Sequence, residues 1–242
     1  MNFQFGHTWG LLNTVELPDA IARYDASDAD SITSSGGDVS GWADLGDGGY
    51  DVAQGNPSLQ PVTGVKTIGG LNAIWFDDDA NRTLYRDDYP VPASGDFSVF
   101  MVAQVLDDGS AGGNDSLVSI DSGGNDFQLC AGGTNFTGRL LSGSCDTIEC
   151  SGGPFAGSDR LFNVVFDWTG EQKVKVYVDG VLRGENTYNA KLGTVSQIFR
   201  LGINRGNNKV AHCWIGEVWV LEDCTEATRL VMEAHLNEKW SL

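Results

Sequence analysis

Short apolar segments separated by glycine-rich turns constrain this fold more than any other feature of the sequence. Phe97–Leu106 is rich in branched and aromatic residues, as a buried strand is. Lys173–Val178 alternates valine with lysine or tyrosine, which is typical of a half-buried strand. Asp179-Gly180 then supplies a two-residue hairpin turn, because glycine tolerates positive φ. Further strands are predicted at Ser116–Ile120, Phe127–Cys130, Leu161–Trp168, Val181–Glu185, Gln197–Ile203 and Trp214–Leu221. The pattern predicts an all-β, two-sheet antiparallel sandwich.

The end of the chain changes to a helical pattern. Asp223 and Glu226 have the spacing of a capping box, which predicts a C-terminal α-helix over 224–240. The apolar stripe that should pack on the sandwich consists of Ala227, Leu230, Val231, Ala234 and Trp240.

Composition limits the partners of the chain. Its 242 residues include 15 basic and 33 acidic side chains, a net charge of −18, so its field should repel nucleic acid and anionic membranes. No stretch has the roughly 20 apolar residues of a membrane span. Residues 1–10 lack the basic start and apolar run of a signal peptide, so we expect synthesis and folding in a cytoplasm. Cys145 and Cys150 are either reduced or paired across a loop in an oxidising medium.

Several motifs occur in a recognisable order. Near the start, Tyr24-Asp25-Ala26-Ser27 precedes a segment with Val39, Trp42 and Asp44. The segment 69–77 reads Gly-Gly-Leu-Asn-Ala-Ile-Trp-Phe-Asp. Later come the hairpin 176–180 (Val-Tyr-Val-Asp-Gly), the segment 215–218 (Ile-Gly-Glu-Val) and the closing pair Lys239-Trp240.

In this order the motifs resemble those of the concanavalin A-like (laminin-G-like jelly-roll) superfamily, of the kind found in tailed-phage virion proteins. Tyr24 stands where the family has tryptophan, and Asp78 where it has glycine. We expect most motif positions to determine the fold. Trp42, Trp75 and Trp219 are expected to bridge the two sheets.

Catalysis is not expected. Enzymes of this superfamily place two carboxylates on one face of a strand, where they flank a glycosidic bond. In this chain the nearest candidates, Glu217 and Glu222, fall on opposite faces, and Trp219 stands where an aspartate would be needed. We therefore assign no catalytic residue.

Acidic side chains form a candidate metal site. Asp77, Asp78 and Asp79 follow a strand, and oxygen-rich loops bind Ca²⁺. The resemblance implies the same, since laminin-G-like domains carry such a site at one rim. The alternative is a solvated acidic rim without an ion. His212 beside Cys213 suggests no metal site, because neighbours on a strand point to opposite faces.

Two loops have the composition of a sugar-binding site, which combines polar side chains with an aromatic ring. The first set is Asn204, Arg205, Asn207 and Asn208, leading to Trp214. The second is Asn125 and Asp126. The alternative is that both are ordinary turns, in which asparagine tolerates left-handed geometry.

The function expected from the resemblance is that of a non-catalytic virion structural protein of a tailed phage, either a capsid decoration or a tail-associated module, that displays a glycan-binding face. Residues 1–16 would form an arm on a neighbouring subunit or a first strand, and 17–242 the sandwich. Its partners would be other virion subunits or copies of itself, with cell-surface polysaccharide as ligand. Its location would be the virion surface, after assembly in the host cytoplasm. The alternatives are a free-standing carbohydrate-binding or adhesion module and, less favoured, a polysaccharide-degrading enzyme.

Overall fold

A computed structural model describes residues 16–89, 95–106, 115–121, 126–132, 135–141, 146–151, 156–187, 197–203, 210–223 and 225–242. The predicted arm, the 204–208 loop, Asn125 and Cys145 lie outside these ranges, apart from the last residue of the arm, Glu16. The strands of the first half are β1 (Ala22–Asp25), β2 (Ile32–Ser35), β3 (Asp38–Trp42), β4 (Val52–Ala53), β5 (Val62–Ile68), β6 (Leu71–Phe76), β7 (Leu84–Arg86), β8 (Phe97–Val105) and β9 (Asp115–Asp121). The remaining elements are β10 (Asp126–Gly132), β11 (Asn135–Leu141), β12 (Asp146–Ser151), β13 (Asp159–Asp167), β14 (Lys173–Val178), β15 (Val181–Thr187), β16 (Ile198–Leu201), β17 (Cys213–Leu221) and helix α1 (Glu226–Trp240). Two short 3-10 turns occupy Ala29–Ser31 and Pro57–Leu59.

The strands pair antiparallel and form two layers. In the first sheet, β1 and β6 both pair with β17, which is followed by β8, β13, β14 and β15. The second sheet has the order β3–β4–β7–β16–β9–β10–β11–β12. Strands β2 and β5 also pair with β3, and β5 pairs with β6, so the layers are linked at one edge. The predicted all-β sandwich is confirmed.

Aromatic side chains fill the space between the sheets. The Tyr24 ring of β1 stacks on Phe199 of β16, with ring centroids 5.6 Å apart. Phe97 of β8 meets Phe127 of β10 edge-on at 5.4 Å. Trp42 is buried in the same core, as predicted. Such pairs contribute about 0.5–1.5 kcal/mol each beyond the burial of apolar area.

Trp75 and Trp219 do not bridge the sheets, so that prediction was wrong. The neighbours of Trp75 on β6, Ile74 and Phe76, point into the core, and alternation therefore turns Trp75 to the outer face of the first sheet. A register shift between Ile215 and Glu217 determines which side chains of β17 point outward. Trp219 is one of them, and it lies on the same outer face as Trp75, beneath α1.

The N-cap of α1 differs from the prediction. Thr225 is the cap, and its hydroxyl accepts a hydrogen bond from the backbone N–H of Thr228 at 3.3 Å. Asp223 supports this cap from outside, since its carboxylate accepts from the Thr225 N–H and from the Thr228 hydroxyl. The helix therefore begins at Glu226, two residues later than predicted.

The buried face of α1 is also different from the predicted stripe. Ala227, Leu230 and Ala234 are exposed, Leu230 by 53%. Arg229 faces the sheet instead, with its guanidinium carbon 4.3 Å from the centre of the Tyr177 ring. The residues that the helix buries are Arg229, Met232, Glu233, Leu236 and Trp240. Within the described ranges, no helix combines the length and apolar character needed to cross a bilayer.

A buried carboxylate connects the last strand, β17, to β1 and to the end of α1. Glu217 is fully buried, and its Oε1 accepts from Arg23 Nε at 3.0 Å and from Trp219 Nε1 at 2.8 Å. Its Oε2 accepts from Lys239 Nζ at 2.6 Å and from Trp240 Nε1 at 2.7 Å. Four donors therefore satisfy one buried charge, as the burial of a carboxylate requires.

Asp25, which is only 4% exposed, extends this cluster. Its Oδ2 accepts from Arg23 and Lys239, while its Oδ1 accepts from the backbone and the hydroxyl of Ser27. Burial raises the pKa of Asp25, but the hydrogen bonds from Lys239 and Ser27 outweigh that effect and hold the pKa below its ordinary value of 3.8. Residues of three separate sequence motifs thus meet in one cluster, which joins β1, β17 and the end of α1.

Candidate functional site

A row of side chains crosses the outer face of the second sheet. The register places Ala53 of β4 opposite Tyr85 of β7, and Tyr85 opposite Arg200 of β16. The row continues through Ser119 of β9 to Gln128 of β10. Their strand neighbours Leu84, Phe199, Val118 and Phe127 are core residues, so alternation turns the row outward.

The accessible part of this row lies in a cleft of about 440 Å³. Tyr85 is 37% exposed, whereas Ser119 and Gln128 are buried. The cleft is lined by Gln54, Leu59, Asn81, Thr83, Tyr85, Arg200 and Ile203. We call it the Tyr85 cleft.

Arg200 is held in place at the floor of the Tyr85 cleft. Its Nε donates to Asp121 Oδ2 at 2.8 Å, and Asp121 is only 5% exposed. The guanidinium carbon lies 5.9 Å from the centre of the Tyr85 ring. The Nε edge of the guanidinium therefore binds Asp121, and the rest of this planar cation lies beside the exposed Tyr85 ring.

The polar wall of the cleft is also held by hydrogen bonds. The Thr83 hydroxyl donates to the Leu201 carbonyl at 2.9 Å. Gln54 Nε2 donates to the Thr83 carbonyl at 3.2 Å, and its Oε1 accepts from the Asn56 N–H. Asn81 adopts a left-handed backbone (φ 52°) at the turn that carries it to the rim. A ring face, a guanidinium and an amide around one concave surface can bind a polar ring-shaped ligand such as a sugar.

A larger cleft of about 650 Å³ lies between the start of α1 and the β13–β14 turn, but two of its carboxylates, those of Asp96 and Asp167, are already engaged. Asp96 accepts from the backbone N–H groups of Trp168 and Thr169. Asp167 accepts from the N–H groups of Gly170 and Glu171. These contacts shape a turn, so we do not assign a ligand to this cleft.

Most of the residues predicted to bind sugar lie outside the described residues, so that prediction stays a prediction; they are Asn125, Asn204, Arg205, Asn207 and Asn208. Trp214 is on the outer face of the first sheet, packed on Trp75 with ring centroids 4.4 Å apart, and so it is not part of the Tyr85 cleft. Ile203, the last described residue before the predicted 204–208 loop, does line the cleft. Asp126 begins β10, and Asn125 lies outside the described residues. The residues predicted to bind sugar included neither Tyr85 nor Arg200, which are 115 positions apart and meet only through strand pairing.

The predicted metal ligands lie at the rim where the chain passes from β6 to β7. Asp77 and Asp78 lie close to His212, whereas the side chain of Asp79 is not part of this group. Cys213 points into the core, so His212 and Cys213 face opposite ways as expected. Whether calcium binds here stays a prediction.

The carboxylate pair of a glycosidase is not formed by the nearest candidates. Glu217 is buried with four donors, and Glu222 is exposed beyond the end of β17. A buried carboxylate with both oxygens occupied has no free position for a sugar or a water.

No family model matches the sequence, and no curated protein is significantly similar to it. Similar solved structures do exist. One is domain 4 of AbnA, a GH43 extracellular arabinanase from Geobacillus stearothermophilus in complex with arabinotriose, with 15% identity, a TM-score of 0.62, and coverage of 90% of this chain and 100% of that domain. Another is the receptor-binding domain of botulinum neurotoxin D, with 12% identity, a TM-score of 0.62, and coverage of 90% of this chain and 53% of that one. A third is the binding domain of botulinum neurotoxin DC in complex with SialylT, with 11% identity, a TM-score of 0.56, and coverage of 90% and 52%. At these identities the likeness establishes a shared sandwich fold.

Proposed function

We propose that this chain is a non-catalytic glycan-binding module whose binding site is the Tyr85 cleft. The observation that carries the proposal is the pairing of an exposed Tyr85 ring with an anchored Arg200 guanidinium in one concave site. A sugar presents an apolar C–H face, which stacks on a ring, and an edge of hydroxyl groups, which needs planar donors and acceptors. Arg200 and Asn81 would supply the latter.

The similar structures support this proposal in one respect. The arabinanase domain, which the chain covers completely, was solved with arabinotriose. A neutral oligosaccharide also suits this chain, since its net charge of −18 disfavours strongly acidic polymers.

Binding is tested on a glycan array, followed by calorimetry with the best oligosaccharide. Tyr85→Ala should weaken binding at least about tenfold, the equivalent of 1.4 kcal/mol. Arg200→Lys keeps the charge opposite Asp121 but loses the planar fork, and it should weaken binding to a similar degree.

Trp214→Ala is the matched control, because it removes a partly exposed ring from the other sheet. We expect it to bind like the wild type. Loss of binding in Trp214→Ala with full binding in Tyr85→Ala would move the site to the first sheet and refute the assignment.

We further propose, from the sequence resemblance, that the module is carried on the surface of a tailed-phage virion. Mass spectrometry of purified particles would test this by detecting the chain at a fixed copy number. Its absence from particles would leave a free-standing adhesion module as the better description.

A further inference from the structure

We propose that Asp77, Asp78 and His212 bind a divalent transition-metal ion, with Zn²⁺ as the reference ligand. Each residue offers one ligand atom, and these three atoms all lie within 4.8 Å of one another. His212 Nδ1 and Asp78 Oδ1 are 2.6 Å apart. Ligands that share a tetrahedral Zn²⁺ lie about 3.3 Å apart, given bonds of about 2.0 Å, so small side-chain rotations bring all three to one ion.

The backbone turn explains how two adjacent aspartates converge. The N–H of Asp79 donates to Asp77 Oδ1 at 3.2 Å and to Asp78 Oδ1 at 3.0 Å, so both carboxylates bend toward one donor. The turn is closed behind them, because the Asn81 N–H donates to the Asp78 carbonyl and the Arg82 N–H to the Asp77 carbonyl. Consecutive side chains in a strand would instead point apart.

His212 reaches the pair from the neighbouring strand. Cys213 of β17 is paired with Phe76 of β6, so the residue before Cys213 lies across from the residue after Phe76. The His212 ring stands edge-on to Trp75, with ring centroids 4.7 Å apart. This contact fixes the ring plane while Nδ1 faces Asp78.

The donor set selects the class of ion. Calcium takes oxygen ligands, whereas an imidazole combined with carboxylates suits Zn²⁺ and its first-row neighbours. The side chains of Asp78 and His212 are each 24% exposed and that of Asp77 is 26% exposed, so an ion can enter and water can complete the coordination. The negative charge of the chain further favours a cation.

The test is calorimetry on the full, tag-free chain, stripped with EDTA and titrated with ZnCl₂ and, separately, CaCl₂. We expect one Zn²⁺ per chain, and at least about tenfold weaker binding in Asp78→Asn and in His212→Gln. Glu238→Gln is the matched control, since it removes one charge from an exposed position on α1. Circular dichroism of each variant excludes loss of fold as the cause.

The fluorescence of Trp75 gives a second test, because an ion bound far from Trp75 would not quench it. Cu²⁺ bound at His212 should quench the tryptophan emission of the wild type at one equivalent, and less so in Trp75→Phe. The proposal is overturned if the wild type binds no Zn²⁺, or if Asp78→Asn and His212→Gln bind it like the wild type. It is equally overturned if only Ca²⁺ binds and His212→Gln retains that binding.

Discussion

Replacing Glu217 by glutamine should test whether the buried cluster stabilises the fold. Two oxygens of the carboxylate accept from four donors, two of them cationic, namely Arg23 and Lys239. An amide offers one oxygen and one NH₂ group, so two donors would face another donor. The buried charge that balances both cations would also be lost.

The expected cost is about 3–5 kcal/mol, the range for breaking a buried ion pair by removal of one partner. At about 2–4 °C per kcal/mol for a chain of this size, the melting temperature should fall by about 6–20 °C. Urea unfolding followed by circular dichroism and by tryptophan fluorescence measures the free energy of unfolding, and agreement of the two probes checks for a two-state transition.

Glu238→Gln serves as the control, because it changes the same residue type at an exposed helical position. Its effect should stay within about 0.5 kcal/mol. A cost below about 1 kcal/mol for Glu217→Gln would refute the reasoning, since it would mean that the cluster adapts to a neutral side chain.

Two further predictions test the contacts that join β1 and α1 to the rest of the sandwich. Gly69→Ala should lower the free energy of unfolding by more than about 3 kcal/mol, because the added Cβ would lie 1.7 Å from the Trp240 carbonyl oxygen. Gly70→Ala is the control, since Gly70 also has a positive φ but has open space around it. It should cost only about 1–2 kcal/mol in the same urea assay. Asp25→Asn should lower the free energy of unfolding near neutral pH, where the Asp25 charge stabilises the folded state. Because the folded pKa of Asp25 lies below 3.8, that contribution is complete above this pH and disappears as the pH falls through the folded pKa, so wild type and variant should converge in acid; a constant difference would contradict this account.

Local pattern was sufficient to predict eight of the seventeen described strands, namely β8–β10 and β13–β17. Lys173–Val178 has the predicted bounds, and Phe97–Leu106 differs from β8 by one residue. Alternation and branched side chains are properties of adjacent residues, so the sequence displays them directly. The helix was predicted in the right place, but its buried face was not, because the contact of Arg229 with Tyr177 depends on another strand.

The candidate sites depend on register, which a single sequence does not display. Tyr85 meets Arg200, and Asp78 meets His212, only because β16 pairs with β7 and β17 with β6. A shift of one residue in either pairing would turn the partner side chain to the opposite face. The motifs quoted from the sequence, in contrast, were expected to determine the fold, and Asp25 and Glu217 do so.

The Asp25–Lys239 contact joins positions that are 214 residues apart, and this separation affects how the chain folds during its synthesis. On the ribosome, the motif that contains Asp25 lacks this partner until residues 239 and 240 have been translated. Until then Glu217 lacks two of its four donors, and the apolar outer face of the first sheet lacks its cover from α1. The sandwich should therefore consolidate only after residues 239 and 240 have left the ribosome, and until then it should depend on chaperones that hold exposed apolar surface.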